Sequence, residues 1–124
     1  MAQPKTDEPL PQAAFNLEQA LIHMGGDHEL FQELVFVFLE ESSRQIDEIR
    51  AASTERNARI VERAAHSIKG SVGTFAAKRA MEAARALEHL GREEKIASFP
   101  QAISALEEEL DLLKDALLIA TRSM

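Results

Sequence analysis

Cysteine, tryptophan and tyrosine are all missing from this 124-residue chain, and each absence removes a class of explanation. Without cysteine there are no disulfides, thiolate zinc sites or thiol nucleophiles, and nothing points to an oxidising compartment; the expected location is cytoplasmic. No apolar run approaches the roughly 20 residues that span a bilayer. The opening Met1-Ala2-Gln3-Pro4-Lys5-Thr6-Asp7-Glu8 also lacks the charged-then-apolar build of a signal peptide, so no membrane partner is expected. Positive charge is in deficit: a net charge of −7 argues against a nucleic-acid partner, because phosphate backbones need a basic face to displace counterions. Sustained apolar–polar alternation, the mark of a half-buried strand, is absent as well.

Proline is confined, with three of the four at positions 4, 9 and 11. Residues 1–14 therefore read as a flexible tail or linker, and residues 15–124 as one domain. From Phe15 on, apolar residues recur at three- and four-residue steps, the period of amphipathic helices. A short helix is expected from about Asn16 to His23, closed by Gly25-Gly26. Asp27 suits the N-cap of a long helix over 28–52, whose stripe is Leu30, Phe31, Leu34, Val35, Phe38, Ile46 and Ile49. Asn57 suits the cap of a helix over 58–74. The next runs from Ala77 to Leu90, with Ala80, Met81, Ala84, Leu87 and Leu90 inward, and is expected to stop at Gly91. Pro100 belongs in the first turn of the last helix, which carries Ile103, Leu106, Leu110, Leu113, Leu117 and Ala120. Short connections between four substantial amphipathic helices make neighbours antiparallel. The expected fold is all-α: an up-down antiparallel four-helix bundle with a short additional N-terminal helix.

The helix over 58–74 carries the chemistry. At about 100° per residue, Ile60, Val61, Ala64, Ala65, Ile68, Val72 and Phe75 fall within an arc of roughly 140°, and His66 lies nearly opposite its middle. Arg59, Glu62, Arg63, Lys69, Gly70 and Gly73 share the outer face with it. Glycine in an exposed helix interior costs about 1 kcal/mol relative to alanine, so Gly70, one turn after His66, needs a reason: it leaves the imidazole uncovered for a bulky partner. Gly73 stands near the expected helix end and suits either access or a C-cap. Lys69 is placed to reach a group on the ring, and Arg63 and Arg59 make the strip locally basic, as a phosphoryl group would require. Glu62 moderates that charge; a surface salt bridge is its expected role, with Arg59 or the imidazole as candidate partners. Glu62 and His66 alone make no metal site, for no third ligand follows, so no metal is expected. A neutral imidazole offers a nucleophilic nitrogen near pH 7, and phosphoryl transfer asks mainly for alignment and charge neutralisation.

His66-Ser67-Ile68-Lys69-Gly70-Ser71 resembles the signature of the histidine-containing phosphotransfer (HPt) domain, His-x-Leu-Lys-Gly followed by a small residue. The likeness extends over most of the chain, through Asn16-Leu17-Glu18-Gln19-Ala20-Leu21, Gly25-Gly26-Asp27, Phe38-Leu39-Glu40-Glu41 and Leu87-Glu88. Ile68 replaces the usual leucine, and Ala76 stands where the family often has glycine. The resemblance implies that His66 accepts a phosphoryl group on Nε2 from a receiver-domain aspartate and passes it to another receiver. It implies that Lys69 stabilises the group and that Gly70 gives access. The implied partners are receiver domains of response regulators, of a hybrid sensor kinase, or of both, met by a monomer. Magnesium is expected only in the receiver, and no other cofactor is expected. No glycine-rich phosphate loop is present, so a phosphotransfer intermediate without its own kinase site is expected. Two alternatives are a helical adaptor that is never phosphorylated and the phosphoacceptor domain of a chemotaxis-type kinase. A second surface is suggested by Leu34-Val35-Phe36-Val37-Phe38-Leu39, apolar all round the helix. The expected cover for Phe36 is the short first helix; the alternative is a receiver-docking patch of Phe36 and Leu39.

Overall fold

A computed structural model describes residues 14–124; the tail expected at 1–14 lies, but for Ala14, outside the described residues. Three helices begin where a short polar side chain meets an unpaired backbone amide. Asn16 accepts from the Gln19 amide at 2.9 Å and opens α1, Leu17–His23. Asp27 accepts from the Leu30 amide at 3.0 Å and opens α2, His28–Thr54. Asn57 accepts from the Ile60 amide at 3.2 Å and opens α3, Ala58–Thr74. Caps of this kind are worth about 1 kcal/mol each. The chain continues through α4, Lys78–Arg92, a 3₁₀ turn at Ile96–Ser98, and α5, Phe99–Arg122, with Pro100 in its first turn.

The four long helices form the expected up-down bundle. α3 packs on α2 and α4, α5 closes the ring against α4 and α2, and α1 lies on α2. Most of the stripe residues are buried: Phe31, Val35, Phe38, Ile46 and Ile49 from α2, Val61, Ala64, Ala65, Ile68 and Val72 from α3, and Ile103 through Leu117 from α5. Phe31 meets Phe75 edge-on at 5.8 Å between ring centroids, and Phe38 meets the same ring at 5.6 Å. These contacts pin the Phe75 end of α3 beneath α2. The Asn16 amide donates to the Phe75 carbonyl, which ties α1 to the same corner.

Two glycine readings are corrected. Gly91 does not stop its helix: α4 runs on to Arg92, and Gly91 is buried inside it. A Cβ there would stand 2.8 Å from the Glu62 amide nitrogen, so the glycine exists because α3 and α4 touch backbone to backbone. Gly73 likewise does not cap α3; a Cβ on it would lie 3.7 Å from Met81 of α4. The left-handed residues that turn the chain after α3 and α4 are Ala76 (φ 56°) and Glu94 (φ 56°). Ala76 thus occupies a position that favours glycine, at a cost of roughly 1–2 kcal/mol. By contrast Gly25 and Gly26, at φ 68° and 79°, end α1 as expected.

Candidate functional site

The outward stripe of α3 is where the sequence places it. His66 is exposed, its side chain 67 % accessible, and Arg59, Arg63 and Gly70 are exposed beside it. A Cβ built on Gly70 meets nothing within 4 Å, so the helix surface one turn beyond the imidazole is open. Arg59 and Arg63 join no ion pair among the described residues.

One residue that sequence reasoning did not place in the site sits at its centre. Glu88, on the inward face of α4, is 5 % exposed. Its Oε2 accepts from His66 Nδ1 at 2.8 Å and its Oε1 accepts from Lys69 Nζ at 2.7 Å. Arg92, one turn further along α4, donates from Nη2 to the same Oε2 at 3.3 Å, and from Nε to Glu62 at 3.1 Å. Lys69 is therefore only half-buried beside the ring, not a freely solvated outer-face residue. Glu62 forms its salt bridge with Arg92, across to the neighbouring helix, and not with Arg59 or the imidazole.

The backbone contact at Gly91 makes this cluster reachable. Gly91 presses α4 against α3 at Glu62, and Glu88 lies one turn before Gly91, level with His66 and Lys69 further along the antiparallel α3. A signal for Glu88 did exist: it falls on the same helical stripe as Ala84, Leu87 and Gly91, and a carboxylate on an inward stripe requires cationic partners.

Burial pushes the Glu88 carboxyl up, but hydrogen bonds from Lys69 and His66, and then their positive charge, outweigh it and hold the group below its ordinary value. Glu88 is therefore a fixed anion throughout the neutral range. A carboxylate only accepts, so Nδ1 of the neutral ring carries the proton and Nε2 keeps its lone pair. The ring is thereby oriented with its nucleophilic nitrogen free.

A depressed folded pKa contributes stability that is complete above the ordinary glutamate value of about 4.3 and is lost as pH falls through the lower folded value. In urea unfolding, the stability advantage of wild type over Glu88→Gln is expected to shrink as pH falls below about 4. A difference that stays constant across the acid range would mean that Glu88 does not titrate in the folded state at a depressed pKa.

The α2 flank carries a second feature. Phe36 and Val37 are exposed, at 64 % and 53 %, so α1 does not cover Phe36, contrary to expectation. With only seven residues, α1 sits at the Phe75 corner, where its His23 ring contacts the Thr74 carbonyl. Leu39 is half-buried against the core. A shallow, mainly apolar hollow between α2 and α3 is lined by Leu34, Val37, Phe38, Ser71, Thr74 and Phe75, with Glu41 as its one charged residue. It begins about 8 Å along α3 from His66, taking the 1.5 Å rise per residue.

No helix among the described residues is long and apolar enough to cross a membrane. No group of three or more His, Asp or Glu among them could hold a metal ion. Comparison with protein families gives one match, to the model of the Hpt domain, over residues 33–116. That span contains α3, α4 and every member of the His66–Glu88 cluster. No curated protein and no solved structure matches the chain significantly.

Proposed function

This chain belongs to the Hpt domain family, and from that premise we propose that His66 is the phosphoryl carrier, loaded by the aspartyl phosphate of one receiver domain and discharged to the aspartate of another. Hpt domains serve two-component phosphorelays as phosphocarriers rather than catalytic enzymes, and membership of that family supports this reading. The observation that carries the residue assignment is the Nδ1–Glu88 hydrogen bond on an otherwise exposed ring.

In the forward step the Nε2 lone pair attacks phosphorus, an N–P bond forms, and the P–O bond to the receiver carboxylate breaks. The electron pair of that bond leaves with the aspartate. Nδ1 keeps its proton, so the ring becomes cationic and Glu88 neutralises it. In the return step a receiver carboxylate attacks phosphorus and Nε2 recovers its lone pair. Lys69, beside the ring, supplies positive charge to the phosphoryl oxygens. The receiver reaches the ring over Gly70 and rests on the exposed Phe36, Val37 and the hollow beside them, since exposed apolar patches mark interaction sites. Arg59 and Arg63 meet acidic groups on its rim. Any magnesium the transfer uses would be held by the receiver's carboxylates, and since every member of the His66–Glu88 cluster comes from one chain, the reading needs no second copy.

The test is to incubate the chain with a panel of phosphorylated receiver domains and map the label. Acid-labile, base-stable phosphate on His66 is expected, lost entirely in His66→Gln. No uptake from any receiver, or equal uptake by His66→Gln, would overturn the assignment.

A further inference from the structure

In the resting structure both oxygens of Glu88 are occupied, and this raises a difficulty for the loaded state. Lys69 holds Oε1 at 2.7 Å. When Lys69 turns toward a phosphoryl group on Nε2, that oxygen loses its donor while the carboxylate stays 5 % exposed. A buried acceptor left unpaired is costly, and more so when charged. Lys69 can therefore be released only if another cation takes its place.

Arg92 is the cation so placed. It already donates to Glu88 from Nη2, at the long distance of 3.3 Å, and stands one helical turn from it on α4. Its Nε is held by Glu62 at 3.1 Å, and its side chain is 58 % exposed, so the fork is free to re-aim. Five donors in one plane allow it to serve both carboxylate oxygens at once.

We propose that Arg92 is a positioning residue for phosphoryl transfer: on loading of His66 it shifts from Glu62 to a full pairing with Glu88, which frees Lys69 for the phosphoryl group. The proposal rests on the carrier reading above. Glu62 is then the competitor that holds Arg92 back in the resting state. Loading exchanges one set of ion pairs for another, Lys69–Glu88 and Arg92–Glu62 giving way to Lys69–phosphoryl and Arg92–Glu88. The phosphoryl group supplies the additional negative charge that drives the exchange.

The two flanking residues therefore have effects of opposite sign on the phosphohistidine, which a merely structural pair would not show. The test charges the full chain with phosphoramidate, a small donor that bypasses receiver docking, and follows the lifetime of the label and the Lys69 Nζ resonance. Arg92→Gln is expected to shorten the lifetime by about three- to tenfold, the range of one net hydrogen bond. It should also suppress the shift of the Lys69 resonance on loading. Arg92→Lys keeps the charge and should recover most of the lifetime, and Glu62→Gln should lengthen it. A wild-type lifetime in Arg92→Gln, or a shortened one in Glu62→Gln, would overturn the proposal while leaving the carrier reading intact. Failure of the wild type to take label from either phosphoramidate or receivers would overturn both.

Discussion

Glu88→Ala is expected to slow the loading of His66 about ten- to hundredfold while leaving the helical content of the bundle unchanged. The magnitude follows from the charge that develops on the ring. The nucleophilic form of the ring is the neutral one, with Nδ1–H donating to the carboxylate; as Nε2 bonds to phosphorus in the proposed step, the ring would become cationic. The same hydrogen bond then turns from a neutral-to-anion contact into an ion pair, so it strengthens toward the transition state and accelerates the step. A hydrogen bond to a charged group is worth about 1.5–3 kcal/mol net, and each 1.36 kcal/mol is a factor of ten in rate. Glu88→Gln retains an acceptor for Nδ1–H but not the charge, and should fall between alanine and wild type. Initial rates of uptake from a phosphorylated receiver measure both, and nitrogen NMR of His66 reports the tautomer separately. A wild-type rate in Glu88→Ala would remove Glu88 from the reaction, leaving its contacts with His66 and Lys69 purely structural.

That the most consequential carboxylate escaped the sequence, while His66 did not, has a physical origin. Helix starts at Asn16, Asp27 and Asn57 were legible because a cap is local: the side chain and the amide it satisfies are three residues apart. The direction of His66 was legible for the same reason, since the apolar arc of α3 alone fixes which face turns outward. Glu88 acquires its role only when α4 lies close enough to α3 for a short side chain to reach across. That distance is set by Gly91, whose missing Cβ accommodates the Glu62 backbone. From one strand of letters, a glycine near a helix end is as well explained by termination as by contact. The turns after α3 and α4 are at Ala76 and Glu94, residues with little propensity for the left-handed region they occupy. Each is closed by local bonds, Ala77 N–H to the Val72 carbonyl and Lys95 N–H to the Leu90 carbonyl, and only the first is marked in the sequence, by the family's usual glycine at the position of Ala76. The exposure of Phe36 was a question of reach: a seven-residue helix anchored at Phe75 does not extend over it.

Gly70 separates stability from function. Gly70→Gln should raise the unfolding free energy by about 0.5–1 kcal/mol, because a good helix former replaces glycine in an exposed helix interior. Nothing opposes the gain, since a Cβ there meets no atom within 4 Å. On the proposed reading, the same side chain would fill the space through which a receiver brings its aspartyl phosphate to Nε2. In-line attack depends on approach distance, and a displacement of about 1 Å costs on the order of a hundredfold. Transfer from a receiver should therefore collapse by about that factor, while loading by phosphoramidate, which is small enough to pass beside the glutamine, should persist. Urea denaturation gives the first quantity and parallel loading assays the other two. Full receiver transfer in a stabilised Gly70→Gln protein would show that the partner does not pass over this turn, and the docking face would then have to lie wholly on the other side of His66. Loss of both reactions would instead point to a disturbed imidazole. Only the combination of higher stability, intact chemical loading and lost receiver transfer assigns the glycine to partner access, since a residue kept for packing would show the opposite sign in the first measurement.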